Sequence, residues 1–144
     1  MAKSKPTFTT QSYGIYDGWK GSGKTLPKSK QSTLLIPAEV DIEFGLIVRA
    51  QKAKGLILHW RIEHPDITDE KGMPMAPFEG EVQVRNNDWQ FYLGDTIWAP
   101  EFDKLGLWSM TIMYDGVNVA SKTFEITNEI NTQQEANFWK KRGF

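Results

Sequence analysis

From Val40 onward, apolar and polar residues change places at almost every step. Val40, Ile42, Phe44, Leu46 and Val48 alternate with Asp41, Glu43, Gly45, Ile47 and Arg49. Successive side chains of an extended strand point to opposite faces, whereas a helix repeats every 3.6 residues, so this pattern predicts a strand with one buried face and one largely in solvent.

The same rhythm returns down the chain. Leu56, Leu58, Trp60 and Ile62 alternate with Ile57, His59, Arg61 and Glu63, and the short linker Gln51 to Gly55 predicts an antiparallel hairpin with the preceding strand. Val82 and Val84 form a further alternating run. Asn86-Asn87-Asp88 then supplies turn residues before Trp89, Phe91 and Leu93, which predicts a second hairpin. Trp108, Met110, Ile112 and Tyr114 lead into Asp115-Gly116, a strong two-residue turn signal, and Val117, Val119, Phe124 and Ile126 form the return strand. Alternation breaks between Ser121 and Phe124, where a bulge is expected. Asp66 to Pro77, with three prolines nearby, reads as a crossing loop. Gly94 to Leu105, interrupted by Pro100, reads as a second crossing whose Ile97, Trp98 and Phe102 plug one end of the core.

With a first strand near Tyr13 to Tyr16, these signals predict an all-β fold: a two-sheet antiparallel sandwich of immunoglobulin-like type with about seven strands. The sandwich domain is expected over 13–127, after an N-terminal segment, 1–12, and before a tail, 128–144. Within that tail Thr132 to Glu135 fits a capping box, and Lys140-Lys141-Arg142 suits the negative end of a helix dipole, so a short C-terminal helix is expected there. The 144 residues suffice for one core. Six Trp, eight Phe and four Tyr suit pleated, half-buried surfaces.

Composition narrows the function classes. A formal net charge of −1 gives the molecule no overall attraction to nucleic acid or to an anionic membrane, and neither is expected as a partner. No cysteine is present, which removes disulfides, thiolate metal sites and a cysteine nucleophile together. The basic start, Met1 to Thr7, is not followed by an apolar run, so no secretory signal is read and a cytoplasmic location is expected.

One motif suggests chemistry. Gly18-Trp19-Lys20-Gly21-Ser22-Gly23-Lys24-Thr25 satisfies the phosphate-binding loop pattern, and would make Lys24 and Thr25 the contacts of a nucleotide hydrolase. That chemistry requires a helix opening at Lys24, so that its amides face the phosphates, and a strand ending in an Asp to hold magnesium. Leu26-Pro27-Lys28-Ser29 is a poor opener, and no such Asp follows a buried strand. A lysine-rich loop around Trp19 could instead stack a base or a sugar. His59 and His64 differ by an odd number of positions, so a strand would point them to opposite faces and no shared metal is expected. Asp66, Asp69 and Glu70 lack calcium-loop spacing, and no Gly-x-Ser-x-Gly elbow occurs.

No catalytic, cofactor or metal residue is therefore assigned. The expected function is a non-enzymatic binding or protein-interaction module, acting on a protein partner or through self-association, with Trp19, Lys20, Lys24, Trp98, Phe138 and Trp139 as candidate contacts. The alternatives are the nucleotide hydrolase and a carbohydrate- or nucleic-acid-binding sandwich.

Tyr13-Gly14-Ile15-Tyr16, Phe44-Gly45, Gly106-Leu107-Trp108, Tyr114-Asp115-Gly116 and Lys122-Thr123-Phe124-Glu125-Ile126 follow one another in an order that resembles a bacterial family described as domain of unknown function 3859. The resemblance spans about Tyr13 to Ile126 and leaves the tail and the Gly/Lys-rich loop unplaced. It implies an immunoglobulin-like sandwich and no activity, so no site residue is carried over from it.

Overall fold

In a computed structural model describing residues 5–17 and 26–128, the alternating segments become nine strands in two sheets. They are β1 (Thr7–Tyr16), β2 (Ser29–Gln31), β3 (Leu35–Pro37), β4 (Glu43–Gln51), β5 (Ile57–Glu63), β6 (Phe78–Gln83), β7 (Asp88–Thr96), β8 (Gly106–Tyr114) and β9 (Val117–Thr127). One sheet has the order β2-β1-β4-β7, the other β3-β9-β8-β5-β6. Two more strands appear than the sequence predicts, because β2 and β3 are only three residues each and too short for a period to register. β1 also starts at Thr7, ahead of the predicted Tyr13, pairing continuously outward along β4 to Gln51 apart from one irregularity between Thr10 and Ser12.

Phe44, Leu46, Val48 and Ala50 of β4 face the opposing sheet and are fully buried. They meet Leu58, Met110, Ile112 and Phe124 from the other layer. Phe44 sits edge-on to Trp108 (5.6 Å) and to Phe124 (5.5 Å), the geometry that opposes the positive edge of one ring to the negative face of the next.

Two predicted hairpins are not hairpins. β4 and β5 lie in different sheets, as do β6 and β7. Their linkers instead run side by side across the same end of the sandwich: Lys52 N–H donates to Asn87 O (2.7 Å) and Gly55 N–H to Val84 O (2.8 Å), while Ala53 turns into the core. Alternation tells which face of a strand is buried but not which strand lies beside it. The β8–β9 hairpin forms as expected, with Asp115 (φ 52°) and Gly116 (φ 77°) in the left-handed conformation a tight primed turn requires. Its bulge, however, falls between Met113↔Asn118 and Ile112↔Ala120, leaving Val119 as the extra residue. Beyond it Ala120, Lys122, Phe124 and Ile126 share one face. Lys122 holds its place on this face with its ammonium 4.5 Å over the ring of Tyr13, a residue packed against the core.

The Gly94–Leu105 segment does cross between sheets, and Ile97 is buried as predicted. Phe102 is not a plug; it is 70% exposed, and Lys104 is fully buried in its place. A 3₁₀ turn, Glu101–Lys104, carries this exchange, with Glu101 and Phe102 exposed and Lys104 turned inward at its end. The Lys104 ammonium donates to Pro100 O (2.9 Å) and Asp103 Oδ1 (2.5 Å) and lies 4.3 Å from the Trp98 ring centre. That turn is the helical structure among the described residues; the expected C-terminal helix at 132–143 lies outside them. Among the described residues no helix is long and apolar enough to cross a membrane.

Among the described residues, one lateral side of the sandwich is closed by a strand pairing and the other is not. On the closed side the chain passes from β2 in one sheet to β3 in the other, and β3 runs parallel to β9, Leu35–Pro37 beside Glu125–Thr127. On the open side stand β6 and β7, the outermost strands of their sheets.

Candidate functional site

Between the β6 and β7 edges lies a cavity of about 1020 Å³. Its lining is mixed: Trp60, Val82, Trp89, Phe91 and Leu93 give apolar surface, Glu81, Arg85 and Asp88 polar surface, and Leu26 from the segment ahead of β2 also reaches it. Trp60 lies flat over Gly80 on the neighbouring strand; a Cβ added there would stand 2.5 Å from the ring, so the glycine makes room for the indole. Trp89 stacks on Phe91 with ring centres 5.2 Å apart. On the outer face Arg49 grips Asp88 through two bonds of 2.7 and 2.6 Å.

The four sheet edges differ in how they are protected against pairing with other strands. β2 is three residues with Lys30 at its centre, and β3 is three residues ending in Pro37. β6 follows Pro77 and carries Glu79 and Glu81. Short length, Lys, Pro and outward charge are the usual devices that blunt an edge. β7 is longer and less guarded: nine residues without Lys or Pro, its charges confined to Asp88 and Asp95 near the two ends, and an unbroken register from Glu43↔Thr96 to Gln51↔Asp88. The ladder also sets which of its main-chain groups point outward. Ile97 N–H donates to Ile42 O and Asn87 O accepts from Lys52 N–H, so odd-numbered residues at both ends face β4. Gln90 and Gly94 therefore direct N–H and C=O away from it, as alternate residues of an antiparallel ladder must.

The outer face of β4 is drier than its polar residues predict. Glu43 and Ile47 are buried, because Tyr16 and Tyr92 lay their rings across this face with centres 5.1 Å apart. Gly14, Gly45 and Gly94 stand in register across three strands beneath them. Tyr92 folds back over Gly94 and donates to Phe44 O (3.0 Å) and to Glu43, whose other oxygen accepts from Thr96 Oγ1. Burial, reinforced by the Glu43 carboxylate, pushes the Tyr92 phenol far above its usual range and keeps it a donor. With a hydroxyl on each Glu43 oxygen, this buried cluster acts as a polar pin across the sheet.

At the sandwich end His64 is enclosed by Phe78 and Trp108 (4.9 and 5.8 Å), with Nδ1 2.7 Å from Pro65 O and Nε2 2.9 Å from Ala76 O. Nearby Asp95 has its carboxyl pushed up to about 6 by burial, with a further push from Glu43, against the pull of the Thr96 N–H bond and of His64. Because this folded value exceeds the unfolded one near 3.8, the folded state holds the extra proton between the two. The corresponding stability is present below about pH 4 and is lost as the pH rises through about 6. Asp95→Asn is accordingly expected to flatten urea midpoints measured from pH 4 to pH 7 and to raise stability at pH 7 by about 1–2 kcal/mol, a figure reduced from the full shift because the carboxyl is partly solvated. A variant with the wild-type pH profile would contradict it.

The other candidates are placed as follows. Trp98 is half-buried, edge-on to Trp108 (6.1 Å) and beside Phe78 (6.2 Å), so much of its ring is packing. Trp19, Lys20, Lys24, Phe138 and Trp139 lie outside the described residues. The phosphate-loop match lies there too, but it joins two antiparallel strands, with Tyr16 paired to Ser29, and Leu26–Lys28 are irregular before β2 begins. His59 is exposed on an outer face, 3.5 Å from Glu81, well separated in environment from His64. Asp69 spends its Oδ1 on the amides of Lys71 and Met73. Among the described residues no group of three or more His, Asp or Glu could hold a metal. The β7 edge itself was missed by sequence reading, which took that strand as half of a hairpin.

The family model described as Domain of unknown function (DUF3859) matches residues 4–126, including the strand residues ahead of Tyr13. Among solved structures, an immunoglobulin-like protein from Pseudomonas aeruginosa superposes with a TM-score of 0.70 at 16% identity, covering 88% of this chain and 100% of that one. At that identity the likeness speaks to fold. No curated protein matches the chain.

Proposed function

Because the chain belongs to the DUF3859 family, which brings no activity with it, we propose its function from the open side of the sandwich: a non-enzymatic protein-interaction module that receives an extended polypeptide strand along β7. The observation that carries this reading is the contrast among the four edges as the described residues form them: three are short or carry Lys, Pro or Glu along their length, whereas β7 is long and uncharged from Trp89 to Gly94. A strand laid against β7 gains main-chain bonds from Gln90 and Gly94, while every second side chain drops toward Trp89 and Trp60 in the cavity. Affinity then comes from the backbone and selectivity from the cavity.

Selection of linear peptides from a random library against the full chain tests this. Expected binders carry apolar residues at alternate positions, shift the tryptophan emission to the blue, and lose affinity for Gln90→Pro. That substitution removes an outward N–H that β4 does not use, and edge strands tolerate proline there. Binders indifferent to Gln90→Pro, or a failure to enrich alternating sequences, would overturn the reading.

A further inference from the structure

We propose that the end of the sandwich spanned by the β4–β5 and β6–β7 linkers is a docking surface for an acidic polypeptide segment carrying aliphatic residues, a contact separate from the β7 edge. The two linkers bring Lys52, Lys54 and Arg85 to this end, all three exposed. The bonds from Lys52 N–H to Asn87 O and from Gly55 N–H to Val84 O fix one linker against the other, and Lys54 and Arg85 occupy positions between those bonds. Lys54 N–H also donates to Asn87 Oδ1 at 3.2 Å, and Ala53 turns into the core, which leaves its neighbours Lys52 and Lys54 outside. Lys5, just ahead of the Thr7 that pairs with Gln51, adds a further positive charge at the same end.

Like charges held close across paired backbone repel, and nothing in the fold offsets them here. Asp88 is engaged by Arg49 and Glu81 stands beside His59, while no ion pair among the described residues includes Lys52, Lys54, Arg85 or the Asp115 of the β8–β9 turn. Lys52 moreover holds φ 59°, a conformation disfavoured for any residue with a Cβ, at a place where Gly or Asn would fit more easily. An anionic partner relieves the repulsion and gains charge-assisted bonds, bidentate at the Arg85 fork. Two observations make that partner a polypeptide and not a nucleic acid. The formal net charge of −1 exerts no long-range pull on a polyanion. The large apolar side chains exposed at this end among the described residues, Ile57 opposite Gln83 and Val117 on the β8–β9 turn, are aliphatic; they offer no ring on which a base could stack, but they suit a leucine or valine.

Fluorescence anisotropy of a labelled peptide of Glu-Glu-Leu repeats, titrated with the full chain at low ionic strength, tests the proposal. The combined variant Lys52→Asn, Lys54→Gln, Arg85→Gln is expected to weaken binding about tenfold or more, Asn being chosen at position 52 because it tolerates the left-handed backbone. Lys28→Gln, Lys30→Gln, Lys71→Gln removes the same charge elsewhere and is expected to leave the affinity within about twofold, as is Gln90→Pro at the β7 edge. Should the first combined variant fail to fold, Lys54→Gln and Arg85→Gln singly carry the test, each with an expected loss of about threefold. No binding of the peptide, or equal losses in the two combined variants, overturns the proposal. A loss confined to Gln90→Pro overturns it too, by moving the peptide to β7. A single-stranded oligonucleotide that binds more tightly than the peptide through the same three cations overturns the polypeptide in favour of nucleic acid.

Discussion

Trp108→Ala is expected to destabilise the domain by about 3–5 kcal/mol, the range for truncating a buried indole. Trp108 is 1% exposed and meets rings from both layers and from the crossing segment: Phe44, Trp98 and His64. Its indole N–H also donates to Lys104 O at 2.9 Å. Truncation therefore opens a cavity and leaves the carbonyl of a fully buried residue without that donor. Against a total stability of about 5–15 kcal/mol for an ordinary domain, much of the folded margin disappears. Equilibrium urea denaturation measures the change; Trp108→Phe, which keeps most of the volume and loses the donor, should fall between the two. A loss under about 1 kcal/mol for the alanine variant would mean that the ring cluster does not hold this end of the sandwich together.

Gly45→Ala is expected to lose about 3 kcal/mol although it adds a single methyl group. A Cβ at position 45 would stand 2.2 Å from Leu93 O and 2.5 Å from Gly94 Cα, main-chain atoms of β7 that cannot swing aside. Only separation of β4 from β7 relieves the contact. Gly55→Ala is the control: its φ of 89° disfavours a side chain, but nothing lies within 4 Å, so a loss of about 1–2 kcal/mol is expected. Equal losses in the two variants, read from denaturation midpoints and slopes, would remove the close approach of the strands as the cause.

These effects mark what sequence could and could not disclose. The faces of β4, β5 and β8 were legible because Phe44, Leu58 and Met110 fall on the period of a strand with one dry side. Neighbour relations were not. Lys52 to Gly55 looks like a reversal whether the chain folds back in one sheet or crosses to the other, and the bond from Lys52 to Asn87 that decides between them joins residues far apart in sequence. Lys104 was invisible for a related reason: its burial depends on the 3₁₀ turn and on Trp98, neither of which leaves a periodic trace. The β7 edge could be recognised only once the pairing order was known, because an unguarded strand means nothing until it is seen to be outermost. The clue available earlier was compositional, nine residues from Asp88 to Thr96 without Lys, Arg or Pro.

The parallel clasp of β3 on β9 has a bearing on biosynthesis. As the sandwich leaves the ribosome, β3 emerges well before the residues it grips, Glu125–Thr127, which are the last of the strands to be made. β1, β2 and β4 can assemble early, while the other layer waits for its final strand before its far border is sealed. Through most of translation the nascent molecule therefore exposes an oily interior, and completion comes late and all at once.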